Sequence, residues 1–589
     1  MTPLDWTLVI VLNGSIIAHA LLRPPKITST ADWFLASRNL PWWIVGLSCY
    51  ATAIDSSDLV ADAGGVYAYG MSYFVTNWVG TVVGWFLLAH FIIRPMYRLG
   101  MYTNAEYLEA RFGPAARVIS VLVQVQYRLV VMGIMAATIY LTFNIVGDLK
   151  ASAWWIVGLF VLLATAYAIR GGSGSIAWTD ALQSVVMMSA SVVLFVCVWL
   201  QVGGWSGLER RLAEHDPALP AQTLHVGREQ VDREDVQGQS SDEIARRLLL
   251  GGELDSSDNA IVRRTPAWLV SISYIIVGLA YSIVNHEQTM RLFAARSLWD
   301  IRMAVVVAAL LLIIATWFNL GMGVLGRGLY PDPAAIQVHK SIERKSDAIY
   351  PVLIRDYTPM GVQGLVVAGL LAAALSTYTG TSSALASLLT RDVYGRLLVT
   401  GREDGHYLTA GRVLTLAVIA ASFAYVPFVL AEGMLFFYLK MVAAFVVPLL
   451  TIYLVGAFTR ASRKSGAAGL VAGVAYGVCR LLAEPVAVRY GVALLPAWLA
   501  DPVVAYPASM AITATAMLLV TTIYGPVPRG DLVHQEQRGW LRESQLAARA
   551  KDEHAASFAE LSRSRQFLPI LLGLAVITLG LTLSFWVFW

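Results

Sequence analysis

The sequence predicts an all-α polytopic membrane protein of about 14 transmembrane helices. Three observations predict it. Hydrophobic residues make up 57% of the 589-residue chain and charged residues only 14%. The mean hydropathy is +0.62, far from the soluble globular average. Apolar runs of about 20 residues, long enough to cross a ~30 Å hydrocarbon core, recur along the whole chain. They fall near 3–21, 41–66, 72–98, 116–146, 152–170, 176–203, 266–292, 301–330, 360–390, 408–432, 433–459, 465–482, 500–525 and 567–588.

The first run, within segment 1–40, follows Met1, Thr2, Pro3, Leu4 and Asp5 without a basic leading region, and no small-residue cleavage site follows it. That pattern predicts a retained span rather than a signal peptide. Segments after the odd-numbered spans carry Arg23 and Lys26, Arg98 and Arg111, Arg291, Arg296 and Arg302, Arg391, Arg396 and Arg402, then Arg460, Arg463 and Lys464. The positive-inside rule makes these cytoplasmic and both termini extracytoplasmic. Segment 204–265 then falls outside; with 12 acids, 8 arginines and no lysine, it reads as a partly helical excursion without a core of its own. Segment 526–566 mixes both charges at helical spacing and is expected as a cytoplasmic connector at the membrane surface. Cys49, Cys197 and Cys479 have no metal-like spacing. There is no GxxxxGK[ST] motif for an ATP-driven pump, and nothing supports an enzyme.

The second span contains Asp55, Ser56, Ser57, Asp58, Asp62 and the pair Gly64-Gly65. A charge near the bilayer centre costs at least ~2.5 kcal/mol, so these aspartates must face protein or water. A polar interruption ahead of a glycine pair suits a helix broken midway, with carbonyls freed for an ion; a span end with solvated acids is the plainer alternative. After the third span, Thr103 and Glu106 form a prospective capping box. Asp180 and Gln183 open the sixth span, where a carboxylate serves either at the interface or on an ion path. The seventh span turns polar at Asn285, His286, Glu287 and Gln288, the place in a second five-span repeat that the break occupies in the first. Paired interruptions in two halves point to a midplane binding site. His286 alone reads as an interior hydrogen-bonded histidine. Lys440, deep in the eleventh span, should snorkel or find a carboxylate.

The ninth span, Leu371 to Tyr394, carries Ser376, Thr377, Thr379, Thr381, Ser382 and Ser383. Neutral hydroxyl and carbonyl oxygens suit a weakly held monovalent cation; small residues also serve close helix packing, and partners elsewhere must decide between the two.

Taken together, GLSCYATAIDSSDLVADAGGVY, TNAEYLEARF, WTDALQSVVM, NHEQTMRLFAARS, LAAALSTYTGTSSALASLLTRDVYG and VPLLTIYLVGAFTRASRKSGAAGL resemble the sodium/solute symporter family over roughly residues 30–480. The resemblance implies a LeuT-type core of two inverted five-helix repeats, 41–203 and 266–459, with 460–589 adding three helices. It also implies a sodium site made by the carbonyls of Ala51, Ile54 and Ala373 and the hydroxyls of Ser376 and Thr377. Asp180 and Thr379 are implied at a second sodium site or on the exit path, although Gly380 stands where a hydroxyl is often found. Asp58, Asn285 and Lys440 fall at solute-facing positions. Asp58 and Lys440 could clamp a zwitterion or form a structural salt bridge.

The implied function is sodium-coupled symport of a sugar, amino acid or carboxylate into the cytoplasm by alternating access. The implied setting is a multi-pass protein of a bacterial-type inner (plasma) membrane. Sodium is the coupling ion, without an organic cofactor; the partners are the solute and the bilayer, not nucleic acid, and monomer and homo-oligomer are equally compatible. Two alternatives stand beside it: proton coupling through Asp55, Asp58 or Glu287, and a transporter-derived solute sensor.

Overall fold

In hydrocarbon a backbone must satisfy its own N–H and C=O groups, and each apolar run does so as a helix. The computed structural model describes residues 1–22, 30–72, 75–255, 259–338, 345–527 and 563–589. Among these residues, 12 helices are long and apolar enough to cross a membrane, and shorter apolar helices begin at Pro3 and Trp42. They match the expected spans in order. Two departures from straight helices matter for function. The second span is broken into Trp42–Ala51 and Ser56–Tyr69, and the seventh into Ala267–Val284 and His286–Phe293 at Asn285, whose backbone is extended. Spans five and six form one helical run, Ala153–Val202, kinked at Gly172, where φ is 57°.

Helix Val362–Leu388 runs through the centre, packed against Ala153–Val202 and against the first helix, Pro3–Leu22. From Gly364 to Leu388 it is almost wholly buried. The first helix is more than an anchor: the Asp5 carboxylate accepts from the backbone N–H of Gly361 and Gly364 at 2.8 and 2.9 Å. Those N–H groups belong to the orphan donors of a helix start, so a distant carboxylate caps the central helix. Asn13 adds a bond from Nδ2 to the Ala368 carbonyl at 3.2 Å.

Segment 204–265 is partly helical, as expected, and also holds a small sheet. It contains helices Gly204–His215, Leu219–Leu224 and Ser241–Leu248 and an antiparallel sheet of strand order β1-β3-β2, made by β1 (Gln230–Asp235), β2 (Glu253–Asp255) and β3 (Ala260–Thr265). Several of its apolar residues are buried, among them Leu208, Leu212, Leu224, Val226 and Ile261. Leu208, Leu212, Leu224 and Val226 join the apolar cluster of the membrane helices rather than a core of the segment's own. The Met71 N–H donates to the Thr223 carbonyl at 3.0 Å, and the Val226 N–H to the Phe588 carbonyl at 2.6 Å. The chain's last residues therefore lie on the same face as this segment. The connector expected over 526–566 falls, from 528 to 562, outside the described residues.

Candidate ion and solute site

Four residues separate helix Trp42–Ala51 from Ser56–Tyr69, and a helix end leaves carbonyls in need of donors. Several of these carbonyls are answered from distant elements. The Ala51 carbonyl accepts from Ser376 Oγ at 2.6 Å and Thr377 Oγ1 at 3.4 Å, and Ser376 Oγ also lies 3.2 Å from the Ala373 carbonyl. A hydroxyl has one proton and two lone pairs, so Ser376 cannot serve both carbonyls at once. Two carbonyls and two hydroxyls thus converge with spare lone pairs, in a spot from which water is excluded. Ile54, the remaining expected ligand, sits within the break and is 3% exposed. The other hydroxyls of the stretch turn elsewhere. Thr379 and Ser382 donate to carbonyls of their own helix, and Thr381 donates to Glu287 at 2.7 Å.

The second half-helix starts with a capping box. Asp55 accepts from the N–H of Ser57 and Asp58 at 2.6 and 3.2 Å and from the Ser57 hydroxyl, while Asp58 accepts from the Asp55 N–H at 2.8 Å. Asp55 therefore has a local structural use that the sequence already carried as D-x-x-D ahead of an apolar run. Beyond it lies a cavity of about 50 Å³ lined by Asp58, Asp62, Asn77, Asn319, Tyr281 and Tyr438, among others.

The seventh-span break is tied to the second. Tyr281 donates from its hydroxyl to the Thr52 carbonyl at 3.0 Å, and Gln288 Nε2 donates to the Cys49 carbonyl at 3.2 Å and to Thr52 Oγ1 at 3.0 Å. Asn285, expected to face solute, caps its own half-helix by accepting from the Glu287 N–H at 3.0 Å. His286 bonds Ser387 at 2.9 Å, the interior role expected of it. Gln288 stood out in sequence only as part of the polar run and Tyr281 not at all; a helix break guarantees hungry carbonyls but does not name their donors.

Arg291, expected in a cytoplasmic loop, is 4% exposed and lies between two buried acids. Its Nη2 donates to Asp180 Oδ2 at 2.9 Å, its Nε to Ser48 Oγ at 2.9 Å, and its Nη1 lies 3.5 Å from Glu287. The charge-loop count misplaced it because two carboxylates buried in the bundle need a cation more than the loop does. Asp180 also accepts from Ser48 Oγ at 2.6 Å. Gly380 has a steric reason: a Cβ there would collide with Glu287 Oε1 and Arg291 Nη2. The same network fills the space that a hydroxyl would need, and Thr379 bonds within its own helix instead of reaching towards Asp180. Nearer one end of the bundle, Arg117 pairs with Glu109 and Asp392, Arg396 pairs with Glu109 at 2.8 Å, and Thr103 donates to Asp392 at 3.0 Å. Outside the spans, burial pushes the neighbouring Glu106 carboxyl up to about 7.

Lys440, expected to face Asp58, has its ammonium 3.7 Å from Glu484 and is absent from the cavity lining. A lysine that is a third exposed finds its carboxylate on the neighbouring helix, Ser465–Tyr490, rather than in the centre. An Asp58–Lys440 clamp is thus replaced by a Lys440–Glu484 pair.

Comparison with known proteins bears on this arrangement. The model of the Sodium:solute symporter family matches residues 33–473. Human sodium/glucose cotransporter 4 is 26% identical, over 94% of this chain and 80% of its own length. Bovine sodium/myo-inositol cotransporter 2 is 28% identical, over 78% and 66%. Among solved structures, a substrate-bound outward-open Na+-coupled sialic acid symporter superposes with a TM-score of 0.69 at 18% identity, covering 90% of this chain and 99% of that one, a likeness of fold.

Proposed function

The chain belongs to the sodium:solute symporter family, and from that premise we propose that it imports a small polar organic solute, driven by sodium moving down its gradient, through alternating access. Its fold is the LeuT-type core, and as a family member it is a transporter rather than an enzyme. We take 41–203 and 266–459 as the two repeats, each opening on a broken helix.

The observation that carries the reading is the meeting of Ser376 and Thr377 with the Ala51 carbonyl at the break. Sodium held by Ala51, Ile54, Ala373, Ser376 and Thr377 would lock the broken span to the central helix. In the ion's absence the serine and threonine protons partly fill that role, so the oxygen set persists without sodium. Locking the break positions Asp58 and Asp62 in the adjoining cavity, and this is how one ligand's binding raises the other's affinity. The cavity is small, about 50 Å³, and solute entry is taken to require helices to part, as alternating access does. One sodium charge crossing an inside-negative membrane supplies ~2.3 kcal/mol per 100 mV. Asp180, held by Arg291 and Ser48, lies on the ion's exit path, where releasing Arg291 would open the way. The polar solute class is supported by relatives named for glucose and myo-inositol.

The test is uptake by proteoliposomes under an inward sodium gradient, across sugars, polyols, amino acids and small carboxylates. Sodium-stimulated uptake of at least one solute is expected, and Ser376→Ala and Thr377→Ala should each diminish it. Unchanged sodium stimulation in both variants would remove these oxygens from the ion site. Uptake that follows a proton gradient and ignores sodium would replace the coupling ion.

A further inference from the structure

The cavity beside the break is rich in acceptors and short of positive charge. Asp58 and Asp62 sit one helical turn apart on Ser56–Tyr69 and both line it, the i, i+4 spacing that places two side chains on one face. Asp58 is engaged through one oxygen with the Asp55 N–H; Asp62 has no hydrogen-bond or ion-pair partner among the described residues. From the opposite wall Asn319, 3% exposed, contributes a buried Oδ1 that accepts no hydrogen bond, and Asn77 Oδ1 is in the same condition. Orphaned buried acceptors are uncommon because each forfeits the hydration it had. Among the described residues, no lysine, arginine or histidine lines the cavity. Arg128, within Coulombic reach of Asp55 and Asp58, lays its guanidinium over the rings of Tyr127 and Tyr281, at 5.2 and 5.6 Å from their centroids, and its Nη2 has no hydrogen-bond partner. Arg128 is shared with Glu287, so Asp58 and Asp62 are left without a cation of their own in the cavity lining among the described residues.

We propose that the transported solute carries a protonated amine, which donates to Asp58 and Asp62 with Asn319 Oδ1 as a third acceptor. An ammonium has three donors and no acceptor, the complement of this lining. The rings of Tyr281 and Tyr438 supply negative faces that favour a cation over a neutral hydroxyl. Lone carboxylates in a membrane interior are otherwise expensive, so an amine-bearing solute supplies the donors that the lining lacks. This assignment rests on the symport reading of the same site and narrows its solute class.

The experiment uses the full chain in proteoliposomes and detergent, with pairs that differ by ammonium for hydroxyl: D-glucosamine against D-glucose, ethanolamine against ethylene glycol, and L-alanine against L-lactate. In sodium, at least one amine should be taken up, and raise the thermal midpoint, at about tenfold or more lower concentration than its hydroxyl partner, the gain expected of one charge-assisted hydrogen bond. Asp62→Asn should abolish that preference while keeping the sodium-induced rise in thermal midpoint, which shows the variant is folded. Equal or better handling of every hydroxyl partner, or an undiminished amine preference in Asp62→Asn, overturns the assignment. Should Asp62→Asn not fold, the paired panel on the unaltered chain still decides. Amine uptake indifferent to sodium would sink the symport reading and support the amine; sodium-driven uptake confined to the hydroxyl partners would do the reverse.

Discussion

Ser376→Ala separates an ion ligand from a packing hydroxyl. The substitution deletes the 2.6 Å bond to the Ala51 carbonyl and leaves that buried acceptor only Thr377 at 3.4 Å. Without sodium the cost is that of a poorly satisfied buried group, about 1–3 kcal/mol. Ser382→Ala is the matched control: its hydroxyl donates to Thr379 of the same helix at 3.0 Å, so it loses a bond of similar kind away from the break. The two diverge once sodium is added. A ligand at 100 times its Kd stabilises by about 2.7 kcal/mol, and a tenfold loss of affinity at the same concentration reduces this to about 1.4 kcal/mol. Unfolding midpoints in detergent, measured in sodium and in potassium at equal ionic strength, give the difference directly. Ser376→Ala should roughly halve the sodium-dependent stabilisation while Ser382→Ala preserves it. A full sodium response in Ser376→Ala would show that the serine merely holds two helices together.

Arg291→Met should destabilise by about 3–5 kcal/mol, because Asp180 and Glu287 lose the cation between them; adding Asp180→Asn and Glu287→Gln should restore most of the loss in thermal unfolding, and failure to do so would refute charge as the cause. Gly380→Ser should cost about 1–3 kcal/mol, since its Cβ meets Glu287 and Arg291, and stability equal to the parent would show that the pair has room to retreat. Glu106 yields a pH prediction. Its folded carboxyl titrates at about 7 against an ordinary 4.5, so the folded state binds more protons between those values. That contribution is complete below 4.5 and fades as pH rises through about 7. Glu106→Gln keeps an acceptor for the Tyr102 N–H and should flatten this slope; identical slopes across that window would contradict it.

Much of the site was legible because membrane insertion penalises polar groups wherever they lack a use. Three aspartates in the second span and a polar run after Val284 pointed to breaks, with a solvated span end as the alternative for the first; the structure has breaks ending at Asp55 and at Asn285. The hydroxyl run in the central helix left ion binding and helix packing open; the family resemblance singled out Ser376 and Thr377, and only the fold shows which of the six hydroxyls turn to the break. The Lys440–Asp58 pairing and the loop position of Arg291 were misjudged for one reason. A charged side chain several carbons long chooses among carboxylates within reach, and reach is a property of neighbouring helices: Glu484 for the lysine, Asp180 and Glu287 for the arginine.

What the chain determines alone is its class, its spans and the places where helices must fail, since each follows from the local cost of putting a residue type into hydrocarbon. What only the packed molecule decides is which orphaned carbonyl meets which hydroxyl, and which acid each arginine serves. Such pairings join residues some 325 positions apart, as Ala51 and Ser376 are, and local preference carries no information about partners at that range.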